Sequence, residues 1–210
     1  MALSSAAKKR NPKPVLAVRA SSVEQLLASS GRYLVGDRVV AFSPDDSLHG
    51  FSLWGQIDDN VIGRLLDLLD QHLTGRKLEY VSIGDFSRVQ WIDTRVYAVV
   101  AEFFRTRAGL FRQRVRRQAI PLPGGLSGLL VAGFLNVGAL PYPTKIVATI
   151  DEAAAYVGDD RVPRLLAEVT KAADEKTPIA SALRPYISRS QSDNSLASAA
   201  KFVGMSPRTV

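Results

Sequence analysis

The sequence predicts an α/β protein whose main unit, residues 33–157, is a mixed sheet covered by helices. Three observations carry this. Short β-branched and aromatic runs alternate with helical apolar stripes along those residues, the pattern of strand–helix units rather than of a bundle or a sandwich. The clearest stripe, Ile62, Leu65, Leu66, Leu69 and Leu73, has the spacing that places apolar side chains on one face of a helix. Turn and cap residues punctuate the runs: Pro44 with Asp45 and Asp46, then Pro121 with Pro123, then Gly158.

Residues 1–32 read as a basic flexible lead-in plus a short helix. Lys8, Lys9, Arg10 and Lys13 lie among prolines, while Ser21-Ser22-Val23-Glu24 has capping-box spacing ahead of a stop at Gly31. Tyr33–Phe42 is a strand or hairpin arm and Phe51–Ile57 another, with loop chemistry between them. Asp58, Asp59 and Asn60 are placed to cap the leucine-striped helix. Leu78–Ile83 is a short strand. From Tyr80 to Ile92 the chain reads as strand, Asp85, loop and Val89, before Trp91-Ile92-Asp93 and a helix from about Thr94. That helix is expected to turn Val96, Val99, Val100, Phe103 and Phe104 inward.

Val115–Ile120 is the next strand, and Gly124-Gly125 opens a helix on Leu126, Leu129, Leu130 and Phe134. Lys145–Thr149 is a strand, after which Thr149 and Glu152 box the start of a helix that stops at Gly158. Residues 158–194 read as an all-α connector: Pro163 suits a first helical turn ahead of Leu165, Leu166 and Val169, and a second stripe follows on Ile179, Leu183, Tyr186 and Ile187. Residues 195–210 form a last helical pattern, a glycine turn and the opening of another helix.

Composition narrows the chemistry. At 46% hydrophobic and 22% charged residues the chain has material for a real core and a solvated surface. It contains no cysteine, which removes disulfides, thiolate metal sites and cysteine nucleophiles. Its two histidines are His49, expected in an exposed loop, and His72, expected on the polar side of its helix. No apolar run reaches the roughly 18 residues of a membrane span, so the expected address is the cytoplasm, with no membrane partner. Trp54 and Trp91 are expected in the core. The net charge is +7, and no acid occurs between Glu102 and Asp151, where Arg105, Arg107, Arg112, Arg114, Arg116 and Arg117 fall. These arginines are a candidate basic patch for a polyanion. No nucleophile, base and orienting group occur in a recognisable pattern. No catalytic residue, metal ligand or cofactor is therefore predicted, and the chain is not expected to be an enzyme. Pro123–Gly128 is rich in glycine before a helix, but it lacks the lysine and hydroxyl of a phosphate loop.

The end of the chain carries a specific signal. Ser195 can cap a helix whose apolar face is Leu196, Ala199, Ala200 and Val203, and Gly204 supplies a tight turn. Ser206 and Pro207 then open a second helix bearing Arg208 and Thr209. This stretch resembles the first helix-turn-helix of AraC-type transcription regulators. The resemblance implies DNA as a partner of the full-length protein, with Ser206, Pro207, Arg208 and Thr209 at the start of the recognition helix. The recognition helix reaches only Val210, so the sequence is expected to be part of a longer regulator.

The middle of the chain resembles the STAS domain, the sulfate-transporter and anti-sigma-factor-antagonist fold, over about residues 33–157. The matching pieces are Gly55-Gln56-Ile57-Asp58 before the leucine-striped helix, Asp85 with Asp93 eight residues on, and Asp151-Glu152-Ala153-Ala154 opening the last helix of the unit. In signalling members of that family a phosphorylated Ser or Thr follows the Asp93-like residue, which makes Thr94 a candidate phosphoacceptor. Arg95 and Val96 replace the Ser-Gly that follows it there, and a helix cap is the simpler role for Thr94. The combined expectation is the signal-sensing or dimerising N-terminal part of an AraC-type transcription regulator with an unidentified small-molecule or protein effector. The alternative is a STAS-type interaction module of the anti-sigma-antagonist kind, switched by phosphorylation at Thr94.

Overall fold

A computed structural model describes residues 14–75, 78–137 and 140–176. The predicted α/β class holds: a seven-stranded mixed sheet is covered by helices on both faces. The elements in chain order are β1 (Val18–Arg19), α1 (Val23–Ala28), β2 (Arg32–Val35), β3 (Val39–Ser43), β4 (Leu48–Ile57) and α2 (Asp59–Gly75). They continue with β5 (Tyr80–Ile92), α3 (Val96–Arg114), β6 (Val115–Pro121), α4 (Gly125–Val137), β7 (Thr144–Val147), α5 (Ile150–Val157) and α6 (Val162–Lys176). Spatial order follows chain order from β1 to β7. The β2–β3–β4 portion is antiparallel, whereas β4 through β7 run parallel, so each step from β4 to β7 needs a crossover helix.

The side-chain alternation of the strands feeds two cores. On one face Phe51, Leu53 and Ile57 of β4 and Phe86, Val89 and Ile92 of β5 pack against α2 and α3 through Ile62, Leu65, Val100 and Phe104. On the other, Val40, Phe42, Leu48, Val81 and Ile83 meet α5 and α6 through Ala153, Val157, Leu165, Leu166 and Val169. The packed unit therefore extends past residues 33–157 on both sides. Helix α6, expected as part of a connector, is a core element. Its Glu168 accepts the backbone N–H groups of Val15 and Leu16 at 3.0 and 2.8 Å, which fastens the segment before β1. The rest of the 158–194 connector and the helix-turn-helix of 195–210 lie outside the described residues.

The caps of α5 are where the sequence put them, whereas α1 is capped one residue later than the Ser21–Glu24 spacing implies. Ser22 accepts from the Gln25 amide, Thr149 accepts from the Glu152 amide, and α5 ends at Gly158. Asp45, in the β3–β4 turn, accepts from Ser47 and Leu48 and pairs with Arg161, which also holds Asp159. Partial burial works against the Asp45 carboxylate, but the bonds from Ser47 and Arg161 prevail and bring it down to about 2.

Other expectations need correction. Val99 is 54% exposed and Trp91 is 50% exposed, so neither is core. His49 lies inside β4 and both histidines are buried, with ring centroids 4.3 Å apart and Tyr80 within 5.0 Å of each. The loop expected within Tyr80–Ile92 is absent. Strand β5 runs through all 13 residues and absorbs its surplus length at two irregularities, a bulge opposite Ser52–Trp54 and a second register shift opposite Gly55–Gln56. Asp85 holds that bulge: its carboxylate accepts from the Ser52 hydroxyl at 2.7 Å and the Ser87 amide at 2.9 Å, deep in the fold.

Gly50 marks the tightest passage between these strands. A Cβ there would lie 2.3 Å from the Ile83 carbonyl oxygen and 2.6 Å from the Phe42 ring. Neither the ladder nor the ring can yield that distance cheaply. Gly50→Val is predicted to destabilise the protein by about 3 kcal/mol or to prevent folding. Urea denaturation of this variant beside Gly63→Ala, whose Cβ meets nothing, checks the prediction, and equal midpoints would refute it.

Candidate functional site

The parallel arrangement brings the carboxyl ends of β4 and β5 and the starts of α2 and α3 to one edge, the place where open α/β sheets receive ligands and partners. Pairing of β4 with β5 continues to Ile57 and Ile92, and the Asp93 amide then donates to the Ile57 carbonyl at 2.9 Å. Asp58 and Asp93 therefore emerge side by side. Asp58 accepts from the Val61 amide at 3.0 Å, which caps α2 as expected, and from Arg38 at 3.1 Å. Arg38 reaches it from the β2–β3 hairpin and also donates to the Gln56 carbonyl.

At the second strand end, Asp93 rather than Thr94 organises the helix start. Its carboxylate accepts from the Arg95 amide at 3.0 Å and from the Arg95 guanidinium. Thr94 sits in the intervening turn, ahead of the first residue of α3. Its carbonyl accepts from the Tyr97 amide at 3.2 Å, whereas its side chain is exposed and has no cap bond. The cap role expected of Thr94 is not filled by a side chain: Arg95 stands at the N-cap of α3 without a side-chain cap bond, Asp93 fixes the turn before it, and exposed Thr94 is left open to solvent. Half-exposed Trp91 stands three residues earlier on the same strand end.

The local field is mixed in sign. Bonds from the Arg95 side chain and amide bring Asp93 down to about 2. Arg95 is in turn held above its ordinary value, first by Asp93 and then by the fields of Asp59 and Asp58. A group placed on the Thr94 oxygen would lie next to the Asp93–Arg95 pair, on which the fields of Asp59 and Asp58 also act, at the positive end of α3.

The other predicted residues are dispersed. Arg105 pairs with Glu102 and Arg107 with Asp70 along α3. Arg112 and Arg116 are exposed. Arg117, on β6, lies over the Tyr156 ring and donates to the Val157 carbonyl on the opposite face. The arginine run of the sequence is therefore divided between a helix and a strand. Asp85 is buried in its bulge and does not join Asp93. Pro123–Gly128 forms the entry to α4, where a Cβ on Gly128 would lie 2.1 Å from the Pro123 carbonyl oxygen; close helix packing accounts for that glycine. Ser206, Pro207, Arg208 and Thr209 lie outside the described residues. Among the described residues no group of three or more His, Cys, Asp or Glu could hold a metal ion, and no helix is long and apolar enough to cross a membrane.

Arg95 and Arg38 take a part in the site that was not expected from the sequence. The signal for Arg95 was its spacing of two from Asp93, which allows one residue to meet the carboxylate through both amide and guanidinium. The Asp93 carboxyl is predicted to titrate near pH 2 by NMR, well below the ordinary value of roughly 3.9. Because its folded value is depressed, its contribution to stability is present above the unfolded value and is lost as pH falls through about 2. Arg95→Gln should return the midpoint toward the ordinary range; an unchanged midpoint contradicts the assigned cause.

No family model matches the chain, and no curated protein matches it. Among solved structures it is similar to an uncharacterized protein of the DUF3478 family from Shewanella loihica PV-4, described as having a SpoIIAA-like fold. The identity is 17% and the TM-score 0.38, and the match covers 52% of this chain and 83% of that one.

Proposed function

We propose that the α/β unit is a protein-interaction module of the STAS type whose contact surface is the carboxyl edge around Thr94, switched by phosphorylation of that residue. The observation that carries the reading is the open Thr94 hydroxyl on a turn fixed from both sides, by the Asp93–Arg95 clasp and by the β4–β5 ladder. A phosphoryl group there adds a charge of about −1.5 to −2. It competes with Asp93 for the Arg95 guanidinium and is repelled by Asp58 and Asp59. The turn therefore rearranges beside Trp91, an aromatic residue of the kind that anchors protein contacts. The fold itself stays intact, because none of these groups belongs to either core.

A second reading is favoured by the sequence from Leu196 to Thr209: the module forms the regulatory part of an AraC-type transcription factor, with Arg208 meeting phosphate or a base edge. The two readings are compatible, since an interaction or dimerisation module is what such a regulator needs beside its DNA reader.

Incubation of the protein with ATP and a soluble extract of its source cells, followed by tandem mass spectrometry, tests the switch. One phosphate on Thr94 is expected, lost in Thr94→Ala. Partners captured by Thr94→Ala and Thr94→Glu should differ in yield by roughly tenfold, the scale of a 1.4 kcal/mol coupling. Phosphate elsewhere only, or equal capture by both variants, would count against the proposal.

A further inference from the structure

Between the sheet and helices α2 and α3 lies a cavity of about 50 Å³, remote in chemistry from the Thr94 edge. Its walls are aromatic and branched aliphatic, Phe51, Leu65, Phe86, Val100 and Phe104 among them, and it carries no Asp, Glu, Lys, Arg or His. Four buried side chains with polar atoms, Tyr80, Ser82, Gln118 and Tyr142, break the apolar surface, and three of them form a relay. The Tyr142 hydroxyl donates to Gln118 Oε1 at 3.1 Å, and Gln118 Nε2 donates to Ser82 Oγ at 3.1 Å. Burial, with a smaller contribution from Tyr80, pushes the Tyr142 phenol above its ordinary value, so it stays a neutral donor.

The direction of this relay decides what remains for an occupant. Tyr142 spends its proton on Gln118, and Gln118 spends one of its two amide protons on Ser82. Among the described residues Ser82 acts as an acceptor in this relay, which leaves its hydroxyl proton and the second Gln118 N–H undirected by it. Two donors concentrated at one wall of an apolar chamber are costly unless something accepts from them. An apolar site with a few convergent polar groups is the usual composition of a small-molecule pocket. A charged ligand would find no counter-charge here. The volume admits roughly four or five non-hydrogen atoms, taking about 10–15 Å³ for each water-sized unit.

We propose that this cavity binds a small uncharged molecule with an apolar body and one hydrogen-bond acceptor, of the short ketone or alcohol class, held by Ser82 and Gln118. The occupant lies between the β5–β6 pair and helices α2 and α3, and the proposal stands independently of the Thr94 switch. Its polar end faces Ser82 and its carbon body faces the phenylalanines.

The test titrates the full chain with 2-butanone while following side-chain methyl resonances by NMR. Saturable shifts confined to Leu65, Val100 and Ile120 are expected, with a midpoint in the millimolar range. Butyrate, of similar size but charged, should produce none. Xenon should bind through the apolar walls alone. Ser82→Ala should weaken 2-butanone at least fivefold and leave the xenon shifts unchanged, the latter proving the cavity intact. Shifts that rise linearly without saturation, butyrate binding as well as the ketone, or equal ketone affinity in Ser82→Ala would each overturn the proposal; the first would identify the chamber as a water site.

Discussion

The parallel ladder between β4 and β5 is the constraint on which the rest of the molecule depends. These are the two longest strands, and they lie at the middle of the sheet with residues in both cores. Gly50 lets the backbones pass against Phe42 and Ile83, and Asp85 steadies the first of two register shifts in β5, a bulge tied to Ser52 and Ser87. A buried carboxylate is costly unless it is bonded, and here its two bonds sit where the strands would otherwise fall out of register. The alternation that feeds the two cores survives because the bulge confines the slip to a few residues.

Two features of possible function follow from that ladder. At its far end, Ile57 and Ile92 run out together and set Asp58, Asp93 and Thr94 on one rim, where the starts of α2 and α3 meet. At its near end, Ser82 of β5 faces Gln118 of β6 across a parallel pair, with Tyr142 closing the relay. The rim is charged and open to water, whereas the cavity is lined by uncharged side chains. One rigid element thus serves a surface suited to a protein partner and an interior suited to a small neutral molecule.

The sequence revealed what local chemistry decides. The leucine stripe of α2, the caps at Asp58 and Thr149, the stop at Gly158 and the alternation of strands and helices could all be read from spacing and residue type. The misses came where tertiary packing overrode a local signal. Asp85 in the middle of β5 looked like a loop residue because a buried carboxylate is legible only once its two partners are known. His49, beside a glycine, looked exposed, yet that glycine marks the closest approach of two strands. Trp91 looked like core because tryptophan usually is, but the ladder carries it beyond the helices. Of the candidate site, Thr94 was legible from its place after Asp93. The Asp93–Arg95 clasp that fixes its turn was not.

Thr94 sits on a solvent-open turn anchored to the longest ladder of the fold. Amide hydrogen exchange on the full chain tests this most directly. Amides of Phe51, Leu53, Val81 and Ile83 should exchange at the rate of global unfolding, and those at Ile57 and Ile92 should remain protected, while Thr94 exchanges orders of magnitude faster. Protection of Thr94 equal to that of Ile92 would mean that the rim is covered by another part of the chain, and would contradict an interaction surface there.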